Sequence, residues 1–190
     1  MLTAQQRREF ADFLLERGVF QRGEFTLKSG EKSSFFLNFG CLYRGSDLRR
    51  LGEFLALGIE AMGGDTTLVF GPAYKGIPMA VAAVIAARSQ WSYFSLRKET
   101  KQHGEVSDLL GATPGPEDRV VMVDDVLTTS QTKLEALRQL APWKVRWNGV
   151  LVGVDRQQRT PEGELWSERF QRESGLVVRA LITVDELLNR

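Results

Sequence analysis

The chain has 190 residues, with 25 Lys and Arg against 24 Asp and Glu, a net charge of +1 that leaves no broad basic field for nucleic acid or a membrane surface. Hydrophobic residues make up 43% and charged residues 26%, the balance of a soluble globular domain with room for one core. A single cysteine, Cys41, excludes an intrachain disulfide, and without a His/Cys cluster a structural zinc site has no ligands. The opening residues MLTAQQRREF are polar, and no apolar run approaches membrane-spanning length, so a cytoplasmic protein is expected.

Thr3 to Arg17 reads as a helix, with Thr3 and Gln6 as a capping box, Phe10, Phe13 and Leu14 on one face, and Gly18 as the stop. GEFTLKSGEKSSFFLNFG then predicts two short strands around the turn Ser29-Gly30-Glu31-Lys32, with Phe35 and Phe36 pointing to opposite sides. From Ser46, Leu48, Leu51, Phe54, Leu55, Ile59 and Met62 form a helical apolar stripe ended by Gly63-Gly64. TLVF is a strand, and the loop FGPAYKGIP leads into an alanine-rich helix. Gly71, Pro72, Gly76 and Pro78 constrain that loop, which holds Tyr74 and Lys75 at the carboxyl end of the strand, where Lys75 suits an anionic ligand. Trp91 to Leu96 is the next strand. RKETKQHGEVSDLLGATPGPED follows, with Arg97, Lys98, Lys101 and the lone His103 within seven residues; cations on so long a connection suggest a lid over a polyanion, with Gly104 as a hinge.

VVMVDDVLTTSQTK, from Val120 to Lys133, organises the rest. The unbroken β-branched run of Val120 to Val123 suits a strand covered on both faces and ends in Asp124 and Asp125. Thr128, Thr129, Ser130, Gln131 and Thr132 then turn into a helix from Gln131 to Leu140. Free N–H groups, hydroxyls and the helix dipole make such a turn a phosphate cradle. Two carboxylates beside it suit ribose hydroxyls or bound magnesium. WNGVLVGVDRQQR is a further strand with Asp155-Arg156 at its end, Thr160-Pro161 opens a helix running through Phe170, LVVRALITV is the last strand, and Thr183 with Glu186 caps a short final helix. The alternation from Thr67 onward predicts an α/β fold, a parallel sheet of about five strands flanked by helices. An N-terminal helix and hairpin, roughly residues 1–45, are expected as a hood over a core of roughly 46–190 in one domain.

The motif resembles the phosphoribosyl pyrophosphate (PRPP) motif of the type I phosphoribosyltransferases. Together with GEFTLKSGEKSSFFLN, FGPAYKGIP, LRKETKQHGE and VDRQQR, in this order and spacing, the chain is similar to the orotate phosphoribosyltransferases over nearly its whole length. The resemblance implies transfer of ribose 5-phosphate from PRPP to orotate. It places Asp124 and Asp125 on the ribose hydroxyls, with magnesium held mainly by PRPP and the two aspartates as candidate ligands. Thr128 to Thr132 would hold the 5-phosphate, and Lys75, Arg97, Lys98, Lys101 and His103 the pyrophosphate. Lys101, His103 and Asp125 would be catalytic, His103 as a proton donor to the leaving group. Lys28, Phe36, Tyr74, Lys75, Thr128 and Arg156 would line the orotate pocket, Arg156 pairing with the carboxylate. A homodimer sharing its lid across the interface is implied as well. The pattern departs at Ser130 and Gln131, where relatives carry glycine and often a second small residue, and at Val106-Ser107, where small, glycine-rich residues are usual. A phosphoribosyltransferase for another base and a non-catalytic PRPP-sensing regulator stand as alternatives.

Overall fold

The computed structural model describes residues 2–26, 30, 32–63, 65–88, 90–97 and 109–190. Helix α1 (Ala4–Glu16) begins at Thr3, whose hydroxyl accepts from the Gln6 N–H while the Gln6 side chain accepts from the Thr3 N–H, so two of the orphan donors of the first turn are satisfied reciprocally. The hairpin of β1 (Phe20–Thr26) and β2 (Lys32–Leu37) follows, then α2 (Gly45–Glu60). The remaining elements, in chain order, are β3 (Leu68–Phe70), α3 (Gly76–Ala86), β4 (Ser92–Leu96), β5 (Leu109–Gly111), β6 (Arg119–Leu127), α4 (Gln131–Leu140), β7 (Arg146–Asp155), α5 (Trp166–Ser174), β8 (Val178–Thr183) and α6 (Val184–Leu188).

Among the described residues the main sheet is six-stranded, in the order β5-β4-β3-β6-β7-β8. The five strands β4, β3, β6, β7 and β8 are parallel, as expected; the addition is β5, which pairs antiparallel with β4 at the edge. Its three residues are too few to show a period in the sequence. Because β4 lies on one side of β3 and β6 on the other, the strand order reverses between β3 and β6. The crevice at the carboxyl ends of these two strands is the topological switch point, where open α/β sheets bind ligands.

The two sheet faces sort the apolar residues. Val121 and Val123 join the cluster containing Phe54, Leu55, Met79 and Ala83 of α2 and α3, whereas Val120 and Met122 join Ala136, Leu140 and Phe170 of α4 and α5. Helix α1 belongs to the first cluster through Phe10 and Phe13, whose rings lie 4.9 and 6.1 Å from that of Phe54. The Arg7 guanidinium also ties it to Glu186 of α6. Burial pushes the Glu186 carboxyl up, but hydrogen bonds from Arg7 and Thr183 outweigh this and carry it down to about 2. The N-terminal helix is thus built into the core, and it is the hairpin that reaches the strand ends.

Two expected boundaries move. The motif strand runs on through Leu127, so Asp124 and Asp125 lie within β6, opposite β7, rather than at its end. Thr160-Pro161 does not open α5. These residues form a turn in which the Gly163 N–H donates to the Thr160 carbonyl at 2.9 Å, closed by a bridge between Arg159 and Leu165, and the helix begins at Trp166. Proline after the first turn position and glycine at the fourth suit a β-turn as well as proline suits a helix start.

Helices α2 and α3 pack tightly at Gly52, where an added Cβ would lie 2.2 Å from the Ala82 carbonyl oxygen. Backbone cannot yield as a side chain does, so Gly52→Ala should destabilise the fold by about 1–3 kcal/mol. Urea unfolding followed by circular dichroism checks this, and an unchanged midpoint would show that the helices can slide apart freely.

Candidate active site

The site is assembled at the switch point from two loops that leave neighbouring strands. After β3, the segment from Gly71 to Gly76 folds back on itself. A Cβ at Gly71 would lie 2.2 Å from the Gly76 carbonyl oxygen, and one at Gly76 would meet Pro72 Cδ at 2.6 Å and the Val123 carbonyl at 2.9 Å. Only glycine permits this packing of the loop against β6. The fold-back turns Tyr74 and Lys75 outward, and Lys75 Nζ donates to Asp125 Oδ2 at 2.8 Å. The sequence expectation that Lys75 is held at the strand end is met, and its holder is one of the two motif carboxylates.

Asp124 and Asp125 are consecutive on a strand and so face opposite ways. Asp125 points to the side of α3 and Lys75; Asp124 points to α4, where Lys133 Nζ donates to its Oδ2 at 2.6 Å. The other oxygens are also engaged: Asp124 Oδ1 accepts from the Asp125 N–H at 3.0 Å, and Asp125 Oδ1 from the Val126 N–H at 2.8 Å. Burial pushes the Asp124 carboxyl above the usual carboxylate range; Lys133 draws it down and the charge of Asp125 pushes it up. Each carboxylate oxygen keeps a lone pair for a hydroxyl donor. One oxygen of each carboxylate already faces an ammonium group, Lys75 on Asp125 and Lys133 on Asp124. The remaining lone pairs of this acidic pair suit ribose hydroxyls.

The loop from Thr128 to Ser130 delivers the chain into α4, where the Gln131 and Thr132 N–H groups have no acceptor within the helix, while those of Lys133 and Leu134 donate to the Ser130 carbonyl. Thr128 is half-buried, while Thr129, Gln131 and Thr132 are exposed around that helix end. Ser130, standing where a glycine was expected, adopts φ +63° and ψ −4°, the left-handed conformation. Its Oγ is buried and has no hydrogen-bond partner among the described residues, so the hydroxyl is withdrawn from a ligand at the loop surface. Lys133 was missed in the sequence. Its only trace there is that it shares the buried stripe of α4 with Ala136 and Leu140, at a place that calls for an apolar residue.

At the other end of the crevice, Arg156 follows β7. Its guanidinium lies 4.8 Å from the centroid of the Phe35 ring, and its Nη2 donates to Ser33 Oγ at 3.4 Å. The hairpin thus meets the end of β7 through Ser33 and Phe35. Phe36, the aromatic expected in the base pocket, is on the other side of β2, 39% exposed and stacked on Phe25 with centroids 5.5 Å apart. Phe35 is the ring that the structure sets beside Arg156. Arg97 is exposed just past the end of β4. Lys28, Lys98, Lys101, His103 and the Val106-Ser107 departure lie outside the described residues.

Comparison with known proteins bears on this geometry. No family model matches the chain. An orotate phosphoribosyltransferase from Vibrio cholerae is 40% identical over 187 residues, covering 96% of this chain and 86% of the relative. One from Erwinia tasmaniensis is 38% identical over 186 residues, with the same coverage of 96% and 86%. Among solved structures, the Francisella tularensis orotate phosphoribosyltransferase superposes with a TM-score of 0.80 at 28% identity, covering 95% of this chain and 88% of that one.

The conformation of Ser130 makes a stability prediction. A left-handed non-glycine residue costs about 1–2 kcal/mol, and a buried hydroxyl without a partner adds about 1–3 kcal/mol; the greater freedom of glycine in the unfolded chain offsets about 0.5–1 kcal/mol of the gain. Ser130→Gly should therefore raise the melting temperature, by about 2–4 °C for each 1 kcal/mol in a chain of this size. Differential scanning calorimetry without ligand decides it, and a lower melting temperature would show that the hydroxyl holds the loop.

Proposed function

The chain belongs to the orotate phosphoribosyltransferase family, and from that membership we propose how its own residues carry the reaction. It is an enzyme that transfers ribose 5-phosphate from PRPP to a ring nitrogen of orotate, giving orotidine 5′-phosphate and pyrophosphate in pyrimidine nucleotide synthesis. The observation that carries the assignment of roles is the acidic pair of β6 at the switch point, with Lys75 on one side and the amino end of α4 on the other.

Asp124 and Asp125 accept hydrogen bonds from the ribose hydroxyls and fix the sugar ring. The first-turn N–H groups of α4, with Thr128, Thr129 and Thr132, hold the 5-phosphate at the positive end of the helix dipole. Ser130 and Gln131 contribute through their backbone. As the bond from ribose C1 to pyrophosphate lengthens, positive charge develops on the sugar and negative charge on the leaving group. Lys75 then exchanges Asp125 for pyrophosphate oxygens, and Arg97 adds a second cation at the same end. Fixed cations are most effective when they meet charge that is greatest in the transition state. Lys98, Lys101 and His103 are assigned to the pyrophosphate from their segment alone, with His103 supplying a proton. Magnesium bound with PRPP would supply further charge neutralisation on the pyrophosphate.

Arg156 pairs with the orotate carboxylate. Its guanidinium is oriented by the Phe35 ring and Ser33, so its donors are set before the base arrives. Phe35 takes the place beside the base that was expected of Phe36, with Lys28, Tyr74 and Thr128 completing the pocket. A homodimer with a lid closing over the neighbouring site is part of this reading.

Loss of orotate absorbance on adding PRPP and magnesium, with uracil, hypoxanthine and adenine as controls, tests the reaction. Arg156→Ala should weaken orotate binding by about 2–5 kcal/mol while PRPP binding changes little; equal losses for both substrates would remove Arg156 from the base pocket. Lys101→Ala and Asp125→Asn homodimers should each be nearly inactive, and subunit exchange between them should restore activity. Failure to recover, with exchange confirmed, would mean that the lid serves its own subunit.

A further inference from the structure

Lys133 has no role in the chemistry above, yet it is only 4% exposed and reaches back beneath the phosphate loop to Asp124 Oδ2 at 2.6 Å and the Val126 carbonyl at 3.1 Å. Three features set it apart from an ordinary structural ion pair. It occupies the buried stripe of α4 beside Ala136 and Leu140, where an apolar side chain would complete the core. Replacing a buried ion pair by apolar residues is often neutral or stabilising, so fold stability alone does not explain it. It also sits in the first turn of a helix, where the dipole disfavours a cation. And its partner is one of the two carboxylates assigned to the ribose.

We propose that Lys133 is a resident counter-cation of the PRPP site: a positioning residue that neutralises Asp124 from beneath, so that the polyanion meets a crevice without net negative charge. The proposal rests on the PRPP reading of the site. Before the ligand arrives, two carboxylates are balanced by two lysines, Lys75 for Asp125 and Lys133 for Asp124. Lys75 is half exposed and leaves Asp125 for pyrophosphate. Lys133 is enclosed and stays, so its charge is present throughout. It does from the protein side part of what magnesium does from the ligand side, and PRPP binding by this chain is correspondingly less dependent on the metal.

The test is calorimetric titration of PRPP into the full chain, in excess magnesium and in chelator, at mildly alkaline pH. The quantity read is the ratio of the two affinities. Lys133→Met should increase that ratio by about tenfold or more, the scale of one unit charge about 10 Å from the ligand at an effective dielectric near 20. The double variant Lys133→Met/Asp124→Asn removes both charges and should return the ratio close to that of the wild type, although binding itself is weaker. A side chain that merely braced the loop would weaken PRPP equally with and without magnesium, and that result would overturn the proposal. Should Lys133→Met fail to fold by circular dichroism, Lys133→Gln removes the charge while keeping a polar donor, and an unchanged ratio there overturns the proposal as well. If the wild type binds no PRPP even in magnesium, the PRPP reading falls and takes this inference with it.

Discussion

Two carboxylates side by side on a strand of a packed sheet create an electrostatic problem that the surrounding structure is arranged to solve. Strand geometry sends Asp124 and Asp125 to opposite faces, so no single cation can serve both. The order of strands supplies one from each side. The loop after β3 provides Lys75 from the α3 face, and the first turn of α4 provides Lys133 from the other. Each lysine depends on local backbone: Lys75 on the fold-back that Gly71 and Gly76 allow, Lys133 on the helix entry at Ser130. The switch point thus supplies a counter-charge for each carboxylate as well as a crevice.

Much of this frame is legible from residues alone. The period of α2, the capping boxes at Thr3 and Thr183, and the bounds of α4 all stand as read, because each depends on side chains within one turn of one another. The placement of Tyr74 and Lys75 was readable because glycine and proline bracket them. What the sequence concealed lies in pairings between distant elements. β5 is defined by its partner β4 and has no period of its own. Whether Phe35 or Phe36 meets Arg156 depends on the register of β2 against β1 and on where the hairpin lands, neither of which adjacency along the chain can specify.

Lys133 shows the same limit in a sharper form. A lysine among Gln131, Thr132 and Glu135 reads as an ordinary solvated helix face, and its place on the α4 stripe becomes meaningful only once β6 is packed against that helix. Proline at Thr160-Pro161 misleads in the opposite direction, since its fixed φ serves a turn as well as a helix start, and Gly163 at φ +89° settles the choice.

Ser130 and Lys133 act on one turn from its two ends. The Ser130 carbonyl accepts from the Lys133 and Leu134 N–H groups at 3.0 and 3.1 Å, so the left-handed residue begins the helix. The Lys133 side chain then returns to the Val126 carbonyl and Asp124, closing the segment between them. A strained backbone at one end is thereby held by an ion pair at the other. The cost of the lysine changes sign when an anion arrives. A cation in the first turn opposes the helix dipole while the site is empty, but adds to it once a phosphate sits at the helix end. The arrangement that is least favourable for the free helix is therefore the one best matched to the phosphate-bound protein.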